Sequence, residues 1–188
     1  DTMLLIYLPA ITTRTQYVFD LVFKNEAGIE YRTTMDSKVF REHPGEKLCY
    51  CSARMDQEFF IKASPLLFEN TIEEKNISAE RKDNMPLLFS NDPSCDLGFD
   101  IFAAVFYMVS RYEEYLPYSP DKHGRFGASA SLAYRNGFLQ YPVVDTWINY
   151  FKKKLQEKFG GMQFANSSFK SIVTYDIDIA YAFKGRTL

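Results

Sequence analysis

The chain has 188 residues, 46% of them hydrophobic and 24% charged, enough for one globular domain or one domain and a further fragment. A formal net charge of -2 leaves no basic footprint for nucleic acid, so DNA and RNA partners are set aside. The longest apolar run, Ile101 to Val109, falls short of the ~20 residues a membrane helix needs and is bracketed by Asp100 and Arg111, so it predicts a core helix and no membrane span.

The 17 Phe and 13 Tyr predict a bulky aromatic core in which each buried Tyr hydroxyl needs a partner. Three cysteines, Cys49, Cys51 and Cys95, are an odd number without a CxxC pair, which predicts buried free thiols and neither a disulfide framework nor a zinc knuckle. No basic segment of the kind that opens a signal peptide precedes the run from Met3 to Leu8, so a cytoplasmic location is favoured.

Met3 to Leu8 is nearly all apolar, the pattern of a strand covered on both faces. Thr13 with Gln16 predicts a capping box opening a helix; Tyr17, Val18, Leu21 and Val22 share one face, and Gly28 ends it. IEYRTT from Ile29 predicts the next strand, and the strand–helix–strand order implies parallel pairing. A short helix over 36–42, stopped by HPGEK, precedes the alternating strand KLCYCS, with Leu48, Tyr50 and Ser52 on one face and Cys49 and Cys51 on the other. EFFIKA and MPLLFS are further strands, and the charged FENTIEEKNISAERKDN between them reads as a surface connection.

Phe99 to Tyr115 reads as a helix apolar nearly all round, and Ser129 to Tyr134 as a short helical turn ended by Asn136-Gly137. Val143 to Phe159 is amphipathic, with Trp147, Ile148, Phe151, Leu155 and Phe159 inward and Lys152, Lys153 and Lys154 in solvent. Gly160-Gly161 then opens a linker. The fold class expected is α/β, a mixed and mostly parallel sheet flanked by helices over residues 1–168.

After the linker, KSIVTYDID has the β-branched and aromatic make-up of a strand and ends in Asp176 and Asp178. Alternation puts both carboxylates on one face at the C-terminal end, where parallel α/β folds and barrels place catalytic groups. Two acids one pleat apart suit a metal ligand and a general base, and equally suit a solvated strand end.

TYDID resembles the first motif of the polysaccharide deacetylase family, the NodB-homology domains, in the subgroup with one residue between its two aspartates. The resemblance implies that Asp176 corresponds to the catalytic base and Asp178 to the metal-binding acid, with zinc or a similar divalent ion as cofactor. In that family two histidines in an HxxxH pattern complete the metal, whereas this sequence holds only His43 and His123, far apart. The expectation is a deacetylase barrel that begins near residue 169 and continues beyond Leu188, its remainder missing here. FDIFAAVFYMVSRYEEYLP, DKHGRF, SLAYRNGFL and PVVD resemble the α/β domain that precedes the deacetylase domain in some bacterial proteins, particularly of the Bacteroides group. The whole protein would then hydrolyse acetyl groups on a glycan, while residues 1–188 alone would be inactive.

A second constellation, SRYEEYLPYSPDKHGRF, gathers Arg111, Glu113, Glu114, Asp121, His123 and Arg125 among three tyrosines. Such mixed charge suits a substrate or interdomain contact, and equally an ion-paired helix end and loop. Two alternatives accompany the accessory-domain reading: a non-enzymatic module that binds a glycan or a partner through this region, and a divalent-metal nuclease-like domain using Glu58 and Lys62. A Ser-His-Asp hydrolase is disfavoured because no GxSxG elbow is present.

Overall fold

In the computed structural model, residues 3–165 and 170–176 are described. Four short parallel strands form the central sheet: β1 Leu4–Tyr7, β2 Tyr31–Thr34, β3 Lys47–Cys51 and β4 Phe59–Lys62, in the order β2-β1-β3-β4. The register sets Leu4 opposite Tyr31, Ile6 opposite Leu48, and Cys49 opposite Phe60. The architecture is therefore the α/β sheet flanked by helices that the element order predicts. Among the described residues, 170–176 of the expected barrel strand over 170–178 are assigned to no strand, and 177 and 178 lie outside the described residues.

The first connection is a helix of two geometries, α1 Thr13–Phe19 continuing through wider π-helical turns over Asp20–Ala27. Its capping box sits one residue earlier than predicted: Thr12 is the N-cap, its hydroxyl accepts from the Thr15 N–H, and the Thr15 side chain answers the Thr12 N–H. The Thr12 hydroxyl also donates to the Leu67 carbonyl at 2.6 Å, a long-range bond that local spacing does not foresee. Gly28 ends the helix at φ 65, the left-handed cap expected of it. The buried stripe is Val18, Phe19, Val22 and Phe23, while Tyr17 points outward.

Alternation along each strand divides the core in two. Leu4, Ile6, Leu48, Tyr50, Phe59 and Ile61 face the larger layer, packed under α1, α3 (Ile101–Val109) and α5 (Val143–Phe159). Phe19, Tyr50 and Phe102 meet there edge to face at 4.7–5.9 Å, the aromatic core that composition predicts. Leu5, Cys49, Cys51 and Phe60 face the other side, where Phe40 of α2 (Ser37–Glu42) and Cys95 form a smaller layer. The sulfurs of Cys49 and Cys51 are joined in a disulfide and Cys95 is a buried free thiol, which corrects the expectation of three free thiols. Side chains two apart on a strand share a face, and that places the two sulfurs together.

Two further differences have physical causes. The polar stretch expected to be only a connection contains β5 Glu80–Lys82, paired antiparallel with β6 Met85–Leu87 across a turn at Asp83 and Asn84. The helix expected to reach Tyr115 stops at Val109, because Arg111 takes the left-handed conformation at φ 53 and the chain restarts as a 3₁₀ turn over Tyr112–Tyr115. That turn rotates Tyr112 into the core against Tyr107, where its hydroxyl accepts from the Glu73 N–H. Helix α5 runs over the predicted residues, and Trp147 donates from Nε1 to the Pro86 carbonyl at 2.7 Å, fixing the hairpin to it. Beyond α5, Met162 is buried and the Ala165 N–H bonds the Ala27 carbonyl beside Gly28.

Candidate functional site

The charged constellation at residues 111–125 does not converge on one point. Arg111 pairs with Glu114 at 2.6 Å across an exposed helical turn. Asp121 organises a loop, its carboxylate accepting from the His123 N–H at 2.8 Å and the Arg125 N–H at 2.9 Å, and the His123 and Arg125 side chains stand in solvent. Glu113 turns the other way. It accepts from the Leu132 N–H at 2.8 Å at the start of α4 (Leu132–Arg135) and has Arg135 at 3.6 Å. Burial raises its carboxyl pKa, against the lowering pull of the Leu132 N–H and Arg135.

Glu113 stands between two adjoining hollows of about 360 and 520 Å³ that share Glu74, Glu113, Leu116 and Arg135. Of the six charged residues singled out in the sequence, Glu113 is therefore the one that lines a concave surface there; its ion-pair partner Arg135 and the co-lining Glu74 come from elsewhere in the chain. Glu58 is buried, with its carboxylate accepting from the Met55 N–H at 2.7 Å, while Lys62 is exposed.

Asp176 is exposed in the segment 170–176, which is assigned to no helix or strand, and Asp178 lies outside the described residues. Among the described residues no three His, Cys, Asp or Glu side chains converge as metal ligands would. They do not assemble a donor set for zinc.

Two features escaped the reading of the sequence. The first is Asp100, fully buried at the start of α3, whose carboxylate accepts from the Ala103 and Ser64 N–H groups and the Tyr50 hydroxyl at 3.0, 2.7 and 2.9 Å. Burial pushes its carboxyl up to about 6 despite those three donors. An aspartate directly before an apolar helix is a cap signal, but Tyr50 and Ser64 lie 50 and 36 residues away. The second is a cleft of about 730 Å³ at the C-terminal ends of β1, β3 and β4, lined by Tyr7, Cys51, Met55, Pro65, Phe68 and Arg41 among others. It lies at the point where strand order reverses, between β1 and β3.

No helix among the described residues is long and apolar enough to cross a membrane. Comparison with curated proteins and with solved structures finds no match. Residues 4–160 match the model of a family of unknown function, DUF7033, and the chain belongs to that family.

Proposed function

We propose that residues 3–165 form a non-catalytic α/β module that precedes a metal-dependent carbohydrate deacetylase domain, whose first motif is TYDID. The supporting observation is the separation of the two parts. The module closes on itself where Ala165 bonds Ala27, whereas Asp176 is exposed and lies in no strand among the described residues. The family match likewise ends at residue 160, before the motif begins.

On this reading Asp176 accepts the proton of the attacking water, and Asp178 is a ligand of zinc or a similar divalent ion in a protein that acts on an acetylated glycan. The described residues do not supply the rest of such a metal site.

The test is acetate release from acetylated chitooligosaccharides by protein carrying residues 1–188 together with the segment that continues them. Activity there, its loss by about a hundredfold or more in Asp176→Asn, and silence of residues 1–188 alone support the proposal. Acetate release by residues 1–188 alone, or a native protein whose intact mass ends it at Leu188, overturns it.

A further inference from the structure

The connections around the sheet leave one crevice open. After β1 the chain passes to the larger core layer and enters α1, while after β3 it crosses the smaller layer, where Met55 packs. Strands β1 and β3 are hydrogen-bonded neighbours, so the two connections part at adjacent strand ends. In open parallel sheets that divergence forms the ligand-binding crevice. The volume of about 730 Å³ falls within the range of small-molecule sites.

Its walls are held from behind. The Tyr7 ring rests on Phe40 at 5.5 Å, and Phe68 stacks on the fully buried Tyr50 at 5.7 Å. With Met55 and Pro65 these rings give the cleft an apolar lining formed before any ligand arrives. Two guanidinium groups reach it, and they differ. Arg54 is committed to the Glu58 and Ser94 carbonyls and to the Asp96 carboxylate at 2.7 Å. Arg41, at the end of α2, has no side-chain partner among the described residues, and no Asp or Glu lines the cleft. A cation beside low-dielectric walls without a counter-charge attracts anions and repels cations.

From this geometry we infer that the crevice between the C-terminal ends of β1 and β3 binds a small organic monoanion, its flat apolar body against Tyr7, Met55 and Phe68 and its charge facing Arg41. The inference is independent of the deacetylase reading, because the cleft is lined by no residue beyond Phe68 and none of its supports reaches the TYDID segment.

The test compares three probes with one body and three charges, 2-naphthoate, 2-naphthamide and 2-naphthylmethylammonium, titrated into the whole chain and followed by amide chemical shifts. The expected result is perturbation at Tyr7, Ser52 and Met55, with naphthoate bound about tenfold tighter than the amide and the ammonium probe weakest, the size of one charge-assisted hydrogen bond. Arg41→Gln should leave the melting temperature unchanged and bring naphthoate to within about twofold of the amide. Ala63→Leu, which adds bulk to the cleft wall, should weaken all three. Equal affinity for the three probes, shifts that map elsewhere, or a preference for naphthoate that survives Arg41→Gln overturns the inference.

Discussion

Tyr50 donates its hydroxyl to the Asp100 carboxylate at 2.9 Å inside a core where both side chains are fully buried. The contact joins the C-terminal half of β3 to the cap of α3, and the Ser64 N–H brings in the segment after β4. Three elements distant in sequence are thus referenced to one carboxyl group.

Asp100 makes folding depend on pH. Its carboxyl is held up to about 6 by burial, against 3.8 in the unfolded chain. The native state therefore keeps a proton that the unfolded state has released, and this stabilisation is present below about pH 4 and lost as pH rises through about 6. Asp100's own contribution across that window is of order 3 kcal/mol. Urea unfolding between pH 4 and 7 should show the decline, and Asp100→Asn should flatten it. An unchanged slope in Asp100→Asn would assign the decline to other groups.

Trp147 carries both volume and a buried hydrogen bond to Pro86. Trp147→Phe keeps most of the ring volume but strands the Pro86 carbonyl, for an expected loss of about 2 kcal/mol. Trp147→Ala should cost about 3–5 kcal/mol. Circular dichroism melts of the two variants check the order.

Gly28 has φ 65, and a Cβ added to it would collide with the Ala165 Cβ. Gly28→Ala should cost about 1–2 kcal/mol through the left-handed backbone alone and more through the clash. Adding Ala165→Gly should recover only the second part. Strict additivity of the two substitutions in denaturant titrations would show that the close approach carries no energy.

Within the charged constellation the structure separates residues that the sequence groups. Glu113→Ala removes the acceptor of the Leu132 N–H and the partner of Arg135, and should lower stability by about 1–2 kcal/mol. His123→Ala and Arg125→Ala, whose side chains are in solvent, should stay within about 0.5 kcal/mol of the parent chain. Melting curves of the three variants distinguish the two classes.

The Cys49–Cys51 pair is checked by mass. Alkylation of the denatured, unreduced chain should modify Cys95 alone, and reduction should open the other two to the reagent. Protein taken from its native compartment reads the redox state that compartment maintains.

Elements with strong internal periodicity were legible in the sequence. Helix α5 keeps its predicted bounds because Trp147, Ile148, Phe151 and Leu155 recur at helical spacing, and β3 keeps its faces because Leu48 and Tyr50 alternate with the two cysteines. The hairpin at Glu80–Lys82 was not legible: all three residues of β5 are exposed, so no apolar alternation marks them. Nor was the break at Arg111, since a left-handed non-glycine residue has no composition signal and is held here by the burial of Tyr112. Of the candidate site residues, Glu113 could be named from charge density, but its partner Arg135 could not.

The sequence by itself determined the strongly periodic helices and strands and most of their inward faces, the α/β class, and the spacing of the two aspartates in TYDID. These are properties of residues within a few positions of each other, where helical and strand periods act. Tertiary structure alone decided the strand order β2-β1-β3-β4, and with it the cleft between β1 and β3, the Asp100–Tyr50–Ser64 junction, and the dispersal of the charged cluster. Each of these depends on which strands become neighbours. That choice is settled by burial of faces across the whole core, so its products carry no local mark in the chain.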